Sequence, residues 1–160
     1  FDPENFTWPF GCHVAIVEIA QATGEVKLKR YVAVDDVGKV INPMIVDGMV
    51  HGGVAQGVGQ ALIEQAVYSP EGQLLSGSFM DYPMPRADQY PSFVTVLMEV
   101  PSPSNPLGVR AGGEGGTTPA LAAVTNAIVD ALAEFGVKHI EMPATPERVW
   151  RAMAGRKAHV

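Results

Sequence analysis

Between Asp47 and Leu62 the chain places glycine at 48, 52, 53, 57 and 59, while the apolar residues around them recur with the spacing of a buried helix. Each glycine inside a helix costs about 1 kcal/mol relative to alanine. Five of them would cost several kcal/mol against a domain stability of roughly 5–15 kcal/mol. A segment that accepts this uses the missing β-carbons to let something approach: another backbone, or a large flat or phosphorylated ligand. Taken alone, the segment leaves both explanations open.

A second cluster, Gly112-Gly113-Glu114-Gly115-Gly116, sets one carboxylate between two Gly-Gly pairs directly before a strong helix signal. Glycine neighbours bring no side chain that could shield or pair with Glu114. They also permit positive-φ backbone that could aim the carboxylate into a cleft. In an apolar cleft closed to water, desolvation raises a carboxylate's pKa toward the working pH, as a general base requires, while a following helix N-terminus favours the anion. A solvated acidic turn is the alternative. Neither cluster is a nucleotide fingerprint, since Gly-Lys-Ser/Thr is absent and Gly57-Val58-Gly59 lacks a third glycine at the dinucleotide spacing.

With 160 residues, 47% of them hydrophobic, the chain suffices for one domain or a slice of a larger one. A net charge of −6 with scattered Lys and Arg argues against a nucleic-acid partner. Cys12 is the only cysteine, which excludes a disulfide framework, a zinc knuckle and a cysteine-ligated iron–sulfur cluster within this chain. A cytoplasmic location is expected. No apolar run reaches the roughly 20 residues of a membrane span, and no signal-peptide pattern opens the chain. Phe1, Phe6, Trp8 and Phe10 crowd the start, and the expectation is a fragment whose missing portion covers them.

Residues 12–20 and 26–35 read as strands joined by a tight turn at Ala22-Thr23-Gly24-Glu25. Asn42 caps, and Pro43 opens, a glycine-rich helix expected to run to about Ala66. A turn at Ser69-Pro70-Glu71-Gly72 follows, and 92–100 reads as a further strand. Thr118 is expected to cap a helix with Pro119 at its first position, ending at Gly136, with the stripe Leu121, Val124, Ile128, Ala131 and Leu132. His139-Ile140-Glu141-Met142 reads as a short edge strand, and Thr145 caps a final helix from Pro146. Strands and helices mix without strict alternation, so the expected class is α+β with a mixed sheet, a β-hairpin, a buried glycine-rich helix and a second long helix.

His13, His51, His139 and His159 share no metal-ligand spacing and read as structural or solvated, and no metal-ligand set is assigned. Asp35-Asp36 reads as a strand-end turn in preference to a cation site. Met44, Met49, Met80, Met84 and Met98 read as gap-filling core residues. No serine lies in a Gly-x-Ser-x-Gly elbow.

Several motifs in order carry a resemblance: Asp35-Asp36-Val37-Gly38, Ile41-Asn42-Pro43, Gly52 through Gln60, Gly77-Ser78-Phe79-Met80-Asp81-Tyr82, Gly112-Gly113-Glu114 and the closing Thr145-Pro146-Glu147-Arg148-Val149-Trp150. The chain resembles the C-terminal part of the molybdenum-binding large subunit of the xanthine dehydrogenase and aldehyde oxidase family, closest to the aerobic carbon monoxide dehydrogenase large-chain branch. Residues 1–160 would then be an incomplete C-terminal portion of a molybdopterin-binding domain.

The resemblance implies a molybdenum-dependent oxidoreductase using molybdopterin, in its cytosine dinucleotide form, to hydroxylate or oxidise a small-molecule substrate with oxygen from water. It implies that Gln56 hydrogen-bonds the pterin or the metal's equatorial ligands and that Gly52, Gly53, Gly57 and Gly59 let the cofactor approach. Gly112 and Gly113 belong to the same contact, and Glu114 is the base. FAD and [2Fe–2S] centres would sit only on partner subunits, a medium and a small one, beside the remainder of the molybdenum subunit. Cys12 does not lie in the copper-holding loop of the carbon monoxide-oxidising enzymes, so the substrate stays open. Alone, the chain is expected to be inactive; the alternative is a non-catalytic pterin- or subunit-binding module.

Overall fold

The hairpin is built by alternation. The computed structural model describes residues 5–155, which leaves the expectations at Phe1 and His159 outside it. Strand β1 (Phe10–Ile19) pairs antiparallel with β2 (Val26–Asp36), and at their connection Gly24 takes φ +75°. The register shifts between Ile16 and Val17, so the consecutive cations Lys29 and Arg30 both stay outside and Tyr31, Ala33 and Asp35 return to the inner face. The turn is anchored from afar: a β-carbon on Gly24 would strike the Pro146 carbonyl and stand 2.6 Å from the Trp150 nitrogen.

Helix α1 (Pro43–Leu62) starts as its sequence dictates, with the Asn42 side chain accepting from the Ile45 N–H. It stops short of Ala66. The Ala61 carbonyl accepts from Ala144 N–H at 2.7 Å, and the Gly59 carbonyl takes both Ile63 and Glu64, which ends the helical ladder. The chain returns through β3 (Phe93–Met98), parallel to β2, giving a mixed sheet in the order β1-β2-β3.

Helix α2 (Thr117–Ala131) begins earlier than expected. Gly116, already in helical conformation, precedes its first residue with no capping side chain, and Thr118 N–H bonds the Glu114 carbonyl at 3.2 Å. Thr118 is therefore inside the helix and does not cap it. His139–Met142 is not a strand: Ile140 is buried, but the backbone that follows docks on the end of α1 through Ala144. Helix α3 (Pro146–Met153) has the expected cap, Thr145 Oγ1 accepting from Arg148 N–H.

The core lies between the inner sheet face and the two long helices, where Tyr31, Ala33, Val50, Val54, Val58, Val124, Ile128 and Leu132 are fully or almost fully buried. Each large aliphatic among them contributes about 1.5–3 kcal/mol. None of the five methionines read as core belongs to it: Met80 is 92% and Met44 79% exposed, and Met49, Met84 and Met98 are also open. They sit on loops, on the first turns of α1 and on the outer sheet face. That outer face, with Val14, Ile16, Val94, Val96 and Met98, is uncovered by the other described residues.

Candidate functional site

The two glycine clusters cross where α2 begins. A β-carbon on Gly53 would lie 2.8 Å from Thr117 N, one on Gly57 2.7 Å from Ala120 Cβ, and one on Gly116 would run into the Val50 carbonyl. Gly53 and Gly57 are thus covered by the backbone of α2, while Gly59 is filled from Glu64 and Pro85. A β-carbon on Gly48 or Gly52 would meet none of the described residues within 4 Å, and with exposed Gln56 these positions form an open ledge along α1. Gln56 reaches the start of α2, its Oε1 accepting from Thr117 Oγ1 at 3.4 Å.

Glu114 is exposed on the turn just before that helix. It lines a cleft of about 690 Å³ whose walls are Phe6, Trp8, Phe10, Ala111 and Pro119, with Asp35 as the second carboxylate. The glycines around Glu114 are not used for positive φ: among the described residues that conformation falls on Gly24, Gly38, Gly72, Gly108, Gly136 and Gly155. Space demands a glycine only at 112 and 116. A β-carbon on Gly112 would lie 2.7 Å from Val37 Cγ1, and one on Gly113 only touches Met49 at 4.0 Å.

One cleft wall is pinned by Arg110. Its guanidinium lies over the Phe10 ring at 5.5 Å, donates to the Trp8 and Val100 carbonyls, and stands 3.7 Å from Asp36. Asp36 is buried and accepts from Gly38 N–H at 2.8 Å and Val100 N–H at 2.7 Å, so this member of the Asp-Asp pair is a strand-end brace.

Asp35 has a different environment, one the sequence reading did not anticipate. Its carboxylate is met by His13 Nε2 at 3.1 Å, and His13 Nδ1 by the Tyr31 hydroxyl at 2.8 Å, with both members of the Asp35–His13 pair almost fully buried. Burial first, then the Asp35 charge, pushes the Tyr31 hydroxyl well above its ordinary range. Strand alternation alone does not find this set, because positions 31 and 35 share the inner face with 13 only through the bulge between Ile16 and Val17. Among the described residues no three His, Cys, Asp or Glu side chains converge as metal ligands.

A family described as the molybdopterin cofactor-binding domain matches residues 1–91. The chain belongs to that family. It is 41% identical to a carbon monoxide dehydrogenase large chain of Hydrogenophaga pseudoflava over 96% of its own length and 19% of that protein's. It is 46% identical to a nicotine 6-hydroxylase large subunit of Paenarthrobacter nicotinovorans, covering 91% of itself and 18% of the relative. A crystal structure of a Cu,Mo-CO dehydrogenase superposes with a TM-score of 0.93 at 37% identity, over all of this chain and 20% of that one. The chain spans about a fifth of these relatives' length. Among the described residues no helix is long and apolar enough to cross a membrane.

Proposed function

We propose that this chain forms one wall of the molybdopterin site in a molybdenum hydroxylase of the xanthine dehydrogenase and carbon monoxide dehydrogenase type, with Glu114 as the base. One observation carries the reading: the open ledge of α1 and the Glu114 turn flank the same helix start, joined by Gln56 to Thr117 and Glu114 to Thr118. The residues present fit such a cofactor. Gly48 and Gly52 offer side-chain-free surface, and the uncapped N-terminus of α2 favours an anionic group.

When bound, the molybdenum–pterin group supplies the two-electron chemistry. Gln56 would hydrogen-bond it from the ledge, with Gly52 giving direct access. Gly53, Gly57 and Gly59 serve indirectly by seating α1 against its neighbours, and Gly112 and Gly113 keep the Glu114 loop slim. Glu114 takes a proton from the water-derived nucleophile, and the aromatic cleft walls position a small substrate and exclude bulk water.

The rest of the molybdenum subunit would close the cleft and cover the outer sheet face. FAD and [2Fe–2S] centres would belong to medium and small partner subunits. The pterin would be the cytosine dinucleotide, the location a reducing cytoplasm suited to unpaired Cys12, and the chain this C-terminal portion, inactive alone. In the complete enzyme, Glu114→Gln should keep its molybdenum and lose on the order of 10³-fold in turnover, about 4 kcal/mol. Turnover close to wild type would remove Glu114 from the chemistry.

A further inference from the structure

We propose that the Thr117 hydroxyl positions Gln56, holding its side-chain amide so that the amide nitrogen faces the ledge and Gln56 serves the cofactor as a hydrogen-bond donor. The inference rests on the ledge being a wall of the molybdopterin site. Thr117 Oγ1 donates to Gln56 Oε1 at 3.4 Å, and neither side chain has another hydrogen-bond partner among the described residues. A glutamine amide accepts at Oε1 and donates at Nε2. With the hydroxyl on Oε1, both Nε2 hydrogens are left for whatever lies on the ledge.

Thr117 is fitted to be such an anchor. It is the first residue of α2, and its hydroxyl has no capping duty. The residue two further on, whose N–H a threonine hydroxyl commonly captures, is Pro119, which has none. The Thr117 backbone is held as well. A β-carbon on Gly53 would stand 2.8 Å from its nitrogen, and one on Gly57 2.6 Å from its carbonyl oxygen. Only glycine at 53 and 57 admits Thr117 this close to α1, and its β-branched side chain has few χ1 states to move through.

Gln56 is the opposite kind of residue, a long exposed side chain with many rotamers. A hydrogen bond from a fixed neighbour narrows them before the cofactor arrives, which lowers the cost of binding. The polarity agrees with the surroundings. Gly48 and Gly52 bring no acceptor side chain to the ledge, the positive end of the α2 dipole lies beside it, and the one carboxylate of α1, Asp47, stands 3.6 Å from His51.

The test uses the assembled holoenzyme and follows the molybdenum and pterin remaining per subunit during incubation in urea below the unfolding transition. Thr117→Val keeps the shape of the side chain and removes the hydroxyl, and should release cofactor about two- to tenfold faster, the worth of one hydrogen bond. Thr117→Ser should retain it as wild type does. In a Gln56→Ala background, Thr117→Val should add nothing. Gln56→Glu keeps an acceptor for Thr117 but offers the ledge no donor, and should release cofactor at least as fast as Gln56→Ala.

A hydroxyl that merely ties two helices together would lower the unfolding midpoint of Thr117→Val and leave retention unchanged, which overturns the proposal. So does an undiminished effect of Thr117→Val in the Gln56→Ala background, or wild-type retention in Gln56→Glu. Should Thr117→Val fail to assemble, Gln56→Glu, at an exposed position, decides. Gln56→Ala alone separates the underlying reading: wild-type retention there removes Gln56 as a cofactor contact, and the proposal with it. Release from Gln56→Ala but not from Thr117→Val keeps that contact and retires only the role of Thr117.

Discussion

Gly53 and Gly116 meet backbone to backbone: a β-carbon on Gly53 would stand 2.9 Å from the Gly116 Cα. The two glycine clusters, far apart in sequence, are the two sides of one helix contact. Gly53→Ala in the assembled subunit should therefore destabilise by about 1–3 kcal/mol, because backbone cannot yield as a flexible side chain does. A lowered denaturation midpoint checks it.

Gly52→Ala is the contrasting case. Its β-carbon meets none of the described residues within 4 Å, so stability should hold or rise by up to about 1 kcal/mol through better helix propensity. Molybdenum and pterin content should fall if the ledge holds the cofactor. Full loading of this variant would disqualify Gly52 as a contact.

Asp36→Ala leaves the buried Gly38 and Val100 N–H groups without their acceptor and Arg110 without its carboxylate. The expected loss is about 2–4 kcal/mol, read from urea unfolding. Asp36→Asn, which restores one acceptor, should recover part of it.

Arg110→Met removes the donors that tie the Trp8 and Val100 carbonyls together while keeping an apolar stem near Phe10. Amide hydrogen exchange at residues 6–10 should accelerate, with little change in the sheet. Unchanged protection there would mean that the cleft wall is held by the remaining contacts, such as Thr7 to Ala111.

Alkaline pH should weaken the fold from about the ordinary tyrosine value upward. Burial, then the Glu64 charge, pushes Tyr90 up to about 12, and Tyr31 is raised as well. Above pH 10 the unfolded chain binds fewer protons than the folded one, so stability, complete below that point, falls as pH rises through the folded values. Urea midpoints across this range should drop, and Tyr90→Phe should make the decline shallower.

The hairpin, both helix starts at Pro43 and Pro146, and the α+β class were legible because alternation and caps are local signals. The failures came from distant partners. Leu62 ends α1 because Ala144 claims the Ala61 carbonyl, and Ile140 is buried without a strand to pair with. The methionines were misread because hydrophobicity alone does not say which side of an element faces inward; Met98 alternates outward on β3. At the site, glycine density marked the right two segments, but a single segment could not show that Gly53 faces α2 while Gly52 faces open space. The His13–Asp35 pair depends on a bulge that shifts strand phase, invisible without the pairing.

Since the loop at Gly24 closes on Pro146 and Trp150, the hairpin finds its final seat only after α3, more than a hundred residues later, has left the ribosome. Until then its tip and free strand edges stay available to neighbouring nascent chains. Slow synthesis across the intervening stretch should therefore favour misassembly, and a chaperone that holds the hairpin should relieve it.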